Sequence, residues 1–371
     1  MDGSKFGIRK NFGFGFMRLP LKDGEIDIEQ VKKMVDLFLK AGFNYFDTAH
    51  GYHGGKSEWA IKEALTSRYR RDKYILTDKL SPNFFEKKED IKPLIEEELR
   101  AAGVEYFDFL LMHAQSDVLD KKYSAAGAYE VAKELKAEGK IRHIGISFHD
   151  SPEALRRILT SHPEIEVVQI QFNYLDYDDP GVQSKKVYDV AVEFGKPVIV
   201  MEPVKGGRLA NLTTEAAKAF EGFPPASPAS YALRFAASFP SVMMVLSGMS
   251  NLEMVEDNIR AMKDFRPLNV QEEKAVEAAR HAIRGLNFIA CTSCRYCLEV
   301  CPKQLLIPQI ISTLNKKRVY ASFDRDSYLS KAAVEGHRAG DCLKCGRCEK
   351  MCPQHLPIRT ILEEARKELE K

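Results

Sequence analysis

Cysteine is missing from the first 290 residues of this 371-residue chain; all eight cysteines fall in the last 81 positions. A composition split that sharply argues against one uniform domain. Long hydrophobic runs are missing too. No stretch approaches 18 consecutive apolar residues, so no membrane-spanning helix is expected. The N-terminus lacks the basic-then-apolar pattern of a secretion signal, and a cytoplasmic location is the expectation. Excess charge of either sign is absent. Fifty-five basic and 53 acidic residues give a net charge of +2, which supplies no reason to expect nucleic acid or a membrane as partner. What is present is the balance of a folded soluble chain, with 44% apolar and 29% charged residues.

Residues 25–265 read as repeated helix-then-strand units. Asp27 can cap a helix with Val31, Met34, Val35 and Phe38 on its apolar face, and Gln30 completes a capping-box pattern. Gly42 fits the left-handed residue that ends such a helix. A short strand, Tyr45-Phe46-Asp47, follows. The same order recurs before Tyr106–Met112, Ile144–Ser147 and Pro197–Met201, and other apolar runs lie at 74–76, 167–170 and 242–246. With a candidate at Phe14-Gly15-Phe16 this makes eight strands in about 250 residues, which matches a (β/α)8 TIM barrel better than an open sheet. A Rossmann fingerprint is absent. Gly13-Phe14-Gly15 lacks the third glycine and is expected to be a strand or hairpin closing the barrel bottom. The reading is an α/β barrel over residues 1–285 and a mainly α-helical ferredoxin-like domain over 286–371.

Catalytic groups of such barrels sit at the C-terminal ends of the strands. The residues found there are Asp47, Lys79, His113, Ser147, Asn173, Glu202 and Ser247. Polar residues also end strands for no reason but solvent, which is enough to explain Ser147 or Asn173. It does not explain a lysine and a histidine on neighbouring strands. The run Phe46-Asp47-Thr48-Ala49-His50-Gly51-Tyr52, with Ser57-Glu58, Lys79 on the third strand and His113 on the fourth, resembles the aldo-keto reductase signature. The resemblance implies carbonyl reduction, or its reverse, with Asp47, Tyr52, Lys79 and His113 as catalytic residues. The chemistry agrees with it. A free tyrosine is a poor acid near neutrality, and a neighbouring ammonium, Lys79, favours its phenolate. Asp47 would keep Lys79 charged, and His113 would hold the carbonyl oxygen. Singly, Asp47 reads equally as a loop acid, Tyr52 as a packed aromatic and His113 as a satisfied polar group; the ordered set shares one mechanism.

The resemblance also implies a nicotinamide pocket built from Ser147, Gln169, Met201, Gly206, Gly207, Ser247, Gly248 and Asn258. This pocket departs from the family pattern. Ser147-Phe148 stands for the usual Ser-Asn pair, and Met201 stands for a stacking tyrosine. Gly248 and Met254 stand where many relatives carry basic residues for the NADP 2′-phosphate. NADP, NAD and a flavin all stay compatible with it. The turn Lys205-Gly206-Gly207-Arg208 reads equally as a cofactor loop or as an ordinary glycine turn.

The cysteines form two identical runs, each followed by proline: Cys291, Cys294, Cys297 and Cys301, then Cys342, Cys345, Cys348 and Cys352. This is the bacterial ferredoxin spacing, in which the fourth cysteine of each run ligates the other cluster. Two [4Fe–4S] clusters are expected, one on Cys291, Cys294, Cys297 and Cys352, the other on Cys342, Cys345, Cys348 and Cys301. Zinc favours separated cysteine pairs, and disulfides favour secreted chains.

These readings combine into an aldo-keto reductase barrel joined to a two-cluster domain. It would act on a small-molecule carbonyl or alcohol, and a redox partner protein is a further expectation. Nicotinamide moves two electrons as hydride and a cluster passes one. Two alternatives follow: a flavin in the barrel linking a hydride donor to the clusters, or a non-catalytic redox-sensing module.

Overall fold

The computed structural model describes residues 3–223, 226–320, 323–334 and 336–370. Eight strands close into a parallel barrel: β1 Phe12–Gly15, β2 Tyr45–Asp47, β3 Ile75–Leu80, β4 Phe107–Gln115, β5 Ile141–Phe148, β6 Val167–Gln171, β7 Val198–Met201 and β8 Val242–Gly248. Each strand pairs with its sequence neighbours, and β1 closes the ring on β8 through Phe12–Val245 and Phe14–Ser247. The strands are apolar along their length because both faces are covered, by the barrel interior and by the outer helices. Tyr45, Ile75, Phe109, Leu111, Val167, Ile199 and Leu246 fill the interior. The one hydroxyl this group buries, on Tyr45, accepts a hydrogen bond from Thr77 at 2.6 Å.

The segment Gly13-Phe14-Gly15 is corrected by this topology. It does not close the bottom; it is β1 itself. The bottom is plugged by Phe6 and Ile8, which pack onto the interior residues. Gly13 is needed there, because a Cβ would come within 2.9 Å of Leu246, Met244 and Tyr45.

The helix Ile28–Lys40 begins as expected. Asp27 accepts from the Gln30 N–H at 3.1 Å, and Gly42 follows the helix end with φ 91. The capping box is not reciprocal, however. The Asp27 N–H is already bound to Pro20 O at 2.9 Å, so the Gln30 amide turns to the Asp27 carboxylate instead. The helix Val270–Arg284 packs on the barrel side, with Val276 and Ile283 against Tyr174, Leu209 and Tyr231.

The cysteine-rich segment has its own core, built from Leu305, Ile310, Leu314, Ile361, Leu362 and Leu369 of two helices, Ile307–Tyr320 and Ile358–Leu369, and the chain before the first. Its two halves repeat one backbone. Ser293 and Lys344 share φ 55, Arg295 and Gly346 have φ 73 and 72, and Gln304 and His355 share φ 51. Short helices follow at matching places, Tyr296–Glu299 and Arg347–Lys350. Among the described residues no helix is long and apolar enough to cross a membrane.

Candidate active site and cluster sites

Lys79, near the end of β3, is 1% exposed. Its ammonium donates to Asp47 Oδ1 at 2.7 Å, to Thr48 O at 2.6 Å and to the Tyr52 hydroxyl at 3.3 Å. The buried cation is therefore paired and hydrogen-bonded, as burial demands. Asp47 Oδ2 accepts from Gln169 Nε2 at 3.0 Å. Tyr52 lies edge-on to the His113 ring, with centroids 5.8 Å apart. Burial, then the Asp47 carboxylate, push the Tyr52 phenol well above its ordinary value, so the lowering expected from Lys79 does not prevail, and the hydroxyl is held protonated. Burial and the Lys79 charge hold His113 well below the usual imidazole value, leaving it neutral.

A cavity of about 560 Å³ opens above these groups. All eight residues expected in the cofactor pocket line it: Ser147, Gln169, Met201, Gly206, Gly207, Ser247, Gly248 and Asn258. So do Asp47, Tyr52 and His113; Lys79 lies beneath. Several of these polar groups already have partners. Ser147 Oγ accepts from the Ala114 N–H at 2.9 Å, and Asn258 donates to Ser247 Oγ at 3.1 Å. Ala114 and Glu202, immediately past His113 and Met201, have φ 55 and 56, backbone strain concentrated at the rim of the site.

Other residues of the site were not singled out from the sequence. Ser81 Oγ is 2.7 Å from His113 Nδ1; its place two residues after Lys79 was the available signal. His149, at the end of β5, lines the cavity and is pushed down to about 4 by burial. Arg18 stacks its side chain over Gly248, 3.1 Å from where a Cβ would be. A cation thus reaches the β8 loop from the opposite wall, although Glu202 lies 3.6 Å from it and Thr292 O accepts its Nη2 at 2.6 Å.

Thr292 belongs to the cysteine-rich segment, which sits across the barrel mouth. Gln354 and Gln171 exchange amide hydrogen bonds at 2.6 and 3.1 Å, and Lys205 donates to Gln354 Oε1 at 2.7 Å while pairing with Asp176. The turn Lys205-Gly206-Gly207-Arg208 therefore does two things. Its glycines line the cavity, and Gly206 abuts Thr292 so closely that a Cβ would lie 2.7 Å from the carbonyl oxygen. Tyr296 was also missed. Its hydroxyl is 3.2 Å from His113 Nε2.

The eight cysteines form two cages. Cys291, Cys294, Cys297 and Cys352 line one small cavity, and Cys301, Cys342, Cys345 and Cys348 line another. This is the exchange of fourth cysteines expected from the spacing. None of the eight is in a disulfide. The amides of Ser293 and Lys344 point at Cys291 Sγ and Cys342 Sγ, each at 3.4 Å, as amides do toward cluster-ligating sulfurs. The donor sets fit cubane clusters.

Comparison with known proteins agrees with this geometry. The model of the aldo/keto reductase family matches residues 11–281, and that of a 4Fe-4S dicluster domain matches 290–357. L-galactose dehydrogenase of Arabidopsis thaliana is 26% identical over 74% of this chain and 92% of its own length. The NADH-specific methylglyoxal reductase of Escherichia coli is 27% identical over 53% of this chain and 63% of its own. Among solved structures, the holo form of aldo-keto reductase AKR11C1 from Bacillus halodurans superposes with a TM-score of 0.61 at 25% identity, covering 73% of this chain and 92% of its own. An aldo-keto reductase from Klebsiella pneumoniae in complex with NADPH shares the fold at 20% identity, TM-score 0.59, over 73% of this chain and 94% of its own. With the family model spanning the barrel and its strand-end residues, the chain belongs to the aldo-keto reductase family as an oxidoreductase that carries a C-terminal 4Fe-4S dicluster domain.

Proposed function

We propose that this oxidoreductase reduces an aldehyde or ketone to an alcohol, or runs the reverse, with Tyr52 as general acid and base. The observation that carries the reading is the Lys79 ammonium, bonded at once to Asp47, Thr48 O and Tyr52 beneath the cavity. A nicotinamide bound in the cavity would supply the hydride. Tyr52 would give its proton to the carbonyl oxygen, and Lys79, 3.3 Å from that hydroxyl, would stabilise the phenolate left behind. Asp47 and Thr48 O fix Lys79 and keep it charged. With Ser81 donating to Nδ1, neutral His113 would carry its proton on Nε2 and donate it to the same oxygen. Gln169 would meet the carboxamide with its oxygen, since its nitrogen serves Asp47. Arg18 is the cation within reach of a phosphate at the β8 loop, from NADP or NAD alike. Two [4Fe–4S] clusters would occupy the cysteine cages.

The test uses full-length, anaerobically purified, cluster-loaded protein with NADPH or NADH and a panel of aldehydes and ketones. Turnover should fall by about 10²–10⁴ in Tyr52→Phe. No cofactor oxidation with any substrate, or turnover untouched in Tyr52→Phe, would falsify the assignment.

A second reading has its own support: Cys294 lines the same cavity as Tyr52, and Met201 replaces the stacking tyrosine. A flavin there would link two-electron and one-electron chemistry. A visible spectrum with flavin analysis of the denatured supernatant decides it; protein free of flavin rejects it.

A further inference from the structure

The cysteine-rich domain reaches the catalytic groups with one side chain. Tyr296 stands between Cys294 and Cys297 at the start of the helix Tyr296–Glu299. Its hydroxyl lies 3.2 Å from His113 Nε2 and neighbours the Tyr52 hydroxyl. The Tyr296 ring stands edge-on to His113, with centroids 6.0 Å apart. The proposed function assigns these same two groups to the substrate oxygen. A phenol set between them takes the His113 contact that an alcohol product's oxygen would take.

Cluster binding does not explain this residue. The two cysteine runs repeat the same backbone, and the place of Tyr296 in the second run is taken by Arg347. The cage therefore accepts a side chain of quite different shape and charge there. What differs is the surroundings: Tyr296 lines the barrel cavity, and Arg347 does not. The segment is tied down just before Tyr296, where Arg18 donates to Thr292 O at 2.6 Å. Its hydroxyl is held on the catalytic pair rather than reaching it by chance.

We propose that Tyr296 occupies the substrate-oxygen position as an internal stand-in for an alcohol, so that a carbonyl or carboxylate oxygen binds there only by displacing it. The inference rests on the assignment of Tyr52 and His113 to that oxygen. Displacement exchanges the contacts of the Tyr296 hydroxyl for those of the ligand oxygen, so every ligand of the position is weakened by the same competition. The cluster-bearing segment thereby sets access to the barrel's chemistry.

Acetate is a suitable probe, because its oxygens accept from the same donors and it undergoes no turnover. Its affinity is measured by calorimetry on full-length, cluster-loaded native protein and on Tyr296→Phe, Tyr296→Ala and Tyr52→Phe. Cluster absorption in the visible checks that each variant keeps its second domain. Tyr296→Phe should bind acetate about tenfold tighter than native protein, because one competing hydroxyl is gone while the ring stays. In turnover the same variant should lower KM for a carbonyl with kcat held, a split that a merely structural role would not give. Equal or weaker acetate binding in Tyr296→Phe overturns the proposal, as does equal or weaker binding in a Tyr296→Ala variant that retains its clusters. Acetate affinity that Tyr52→Phe leaves unchanged overturns something different, the oxygen site itself, and with it the proposed function.

Discussion

At the scale of single residues, the barrel depends on places where no side chain fits. On β5, a Cβ at Gly145 would lie 2.5 Å from Leu111 Cδ2, 2.6 Å from Val167 Cγ2 and 2.9 Å from Val167 O. The last is backbone of β6 and cannot turn aside. Gly145→Ala should therefore lower the thermal midpoint, by the equivalent of about 1–3 kcal/mol for overpacking a closed core. Gly15 is the contrast. It also sits in a strand, but its nearest neighbour is Ser247 O at 3.7 Å, and it lines the cavity. Gly15→Ala should stay within about 0.5 kcal/mol of native stability. Thermal scans of the two variants decide the matter, and equal midpoints would show that the barrel interior gives way more easily than its geometry implies. Glycines of both kinds look alike in the sequence, because what separates them is a neighbour on another strand.

At the scale of elements, β3 and two helices bury three acids beside the candidate site. Asp78 lies on β3 beside Lys79, Glu58 on the helix Ser57–Ile61 and Glu98 on the helix Lys88–Ala102. Glu58 meets His50 at 3.1 Å. Both Glu98 oxygens are buried without a hydrogen-bond partner among the described residues. Burial, then the neighbouring Asp78, push the Glu98 carboxyl well above its ordinary value. A carboxyl raised in the folded state favours folding most while it is protonated in both states. That contribution is present below its unfolded pKa of about 4.3 and is lost as pH rises toward the folded value. Glu98→Gln keeps the shape, removes the titration, and gives donors to the neighbouring carboxylates. Its thermal midpoint should exceed the native one at pH 8.5, by the equivalent of about 1–3 kcal/mol, and converge with it near pH 5. Parallel curves across that range would contradict the account. Much at this scale could be read from the sequence. Asp47, Lys79 and His113 follow apolar runs, and a strand end in a barrel of this kind is a fixed place. β1 was counted among the strands, but its role was misread as closing the bottom, because FGFG carries no local sign that its partner is Val242–Gly248, some 230 residues away.

At the scale of the whole molecule, the residues that the sequence hid most completely are those whose partners lie across the two domains. Tyr296, Arg18 and Gln354 have no local pattern that separates them from surface positions; docking alone gives them a role. Gln354 joins the halves most fully. It is 7% exposed, two residues after Cys352, and its amide is matched on both ends by Gln171 and Lys205. Lys205 in turn is buried against Asp176, with side chains 3% and 2% exposed. Replacing Gln354 with leucine would leave the Gln171 amide oxygen, one of its two N–H groups and one Lys205 donor without partners in a buried site; the other Gln171 N–H keeps Asp176. Leaving buried groups unsatisfied costs about 1–3 kcal/mol each. Asn83–Glu299 at 3.2 Å is the opposite case, an exposed hydrogen bond at the rim, expected to matter by less than about 1 kcal/mol. Hydrogen exchange on cluster-loaded protein reads the difference directly. In Gln354→Leu, amides of residues 289–297 and 353–357 should exchange faster by tenfold or more, while those of β3 to β6 keep native protection. Glu299→Ala should leave both sets near native rates. Unchanged exchange in Gln354→Leu would mean that the domain is held by its apolar contacts and cluster loops, not by this polar junction. Faster exchange throughout the barrel would mean that the two parts unfold as one unit.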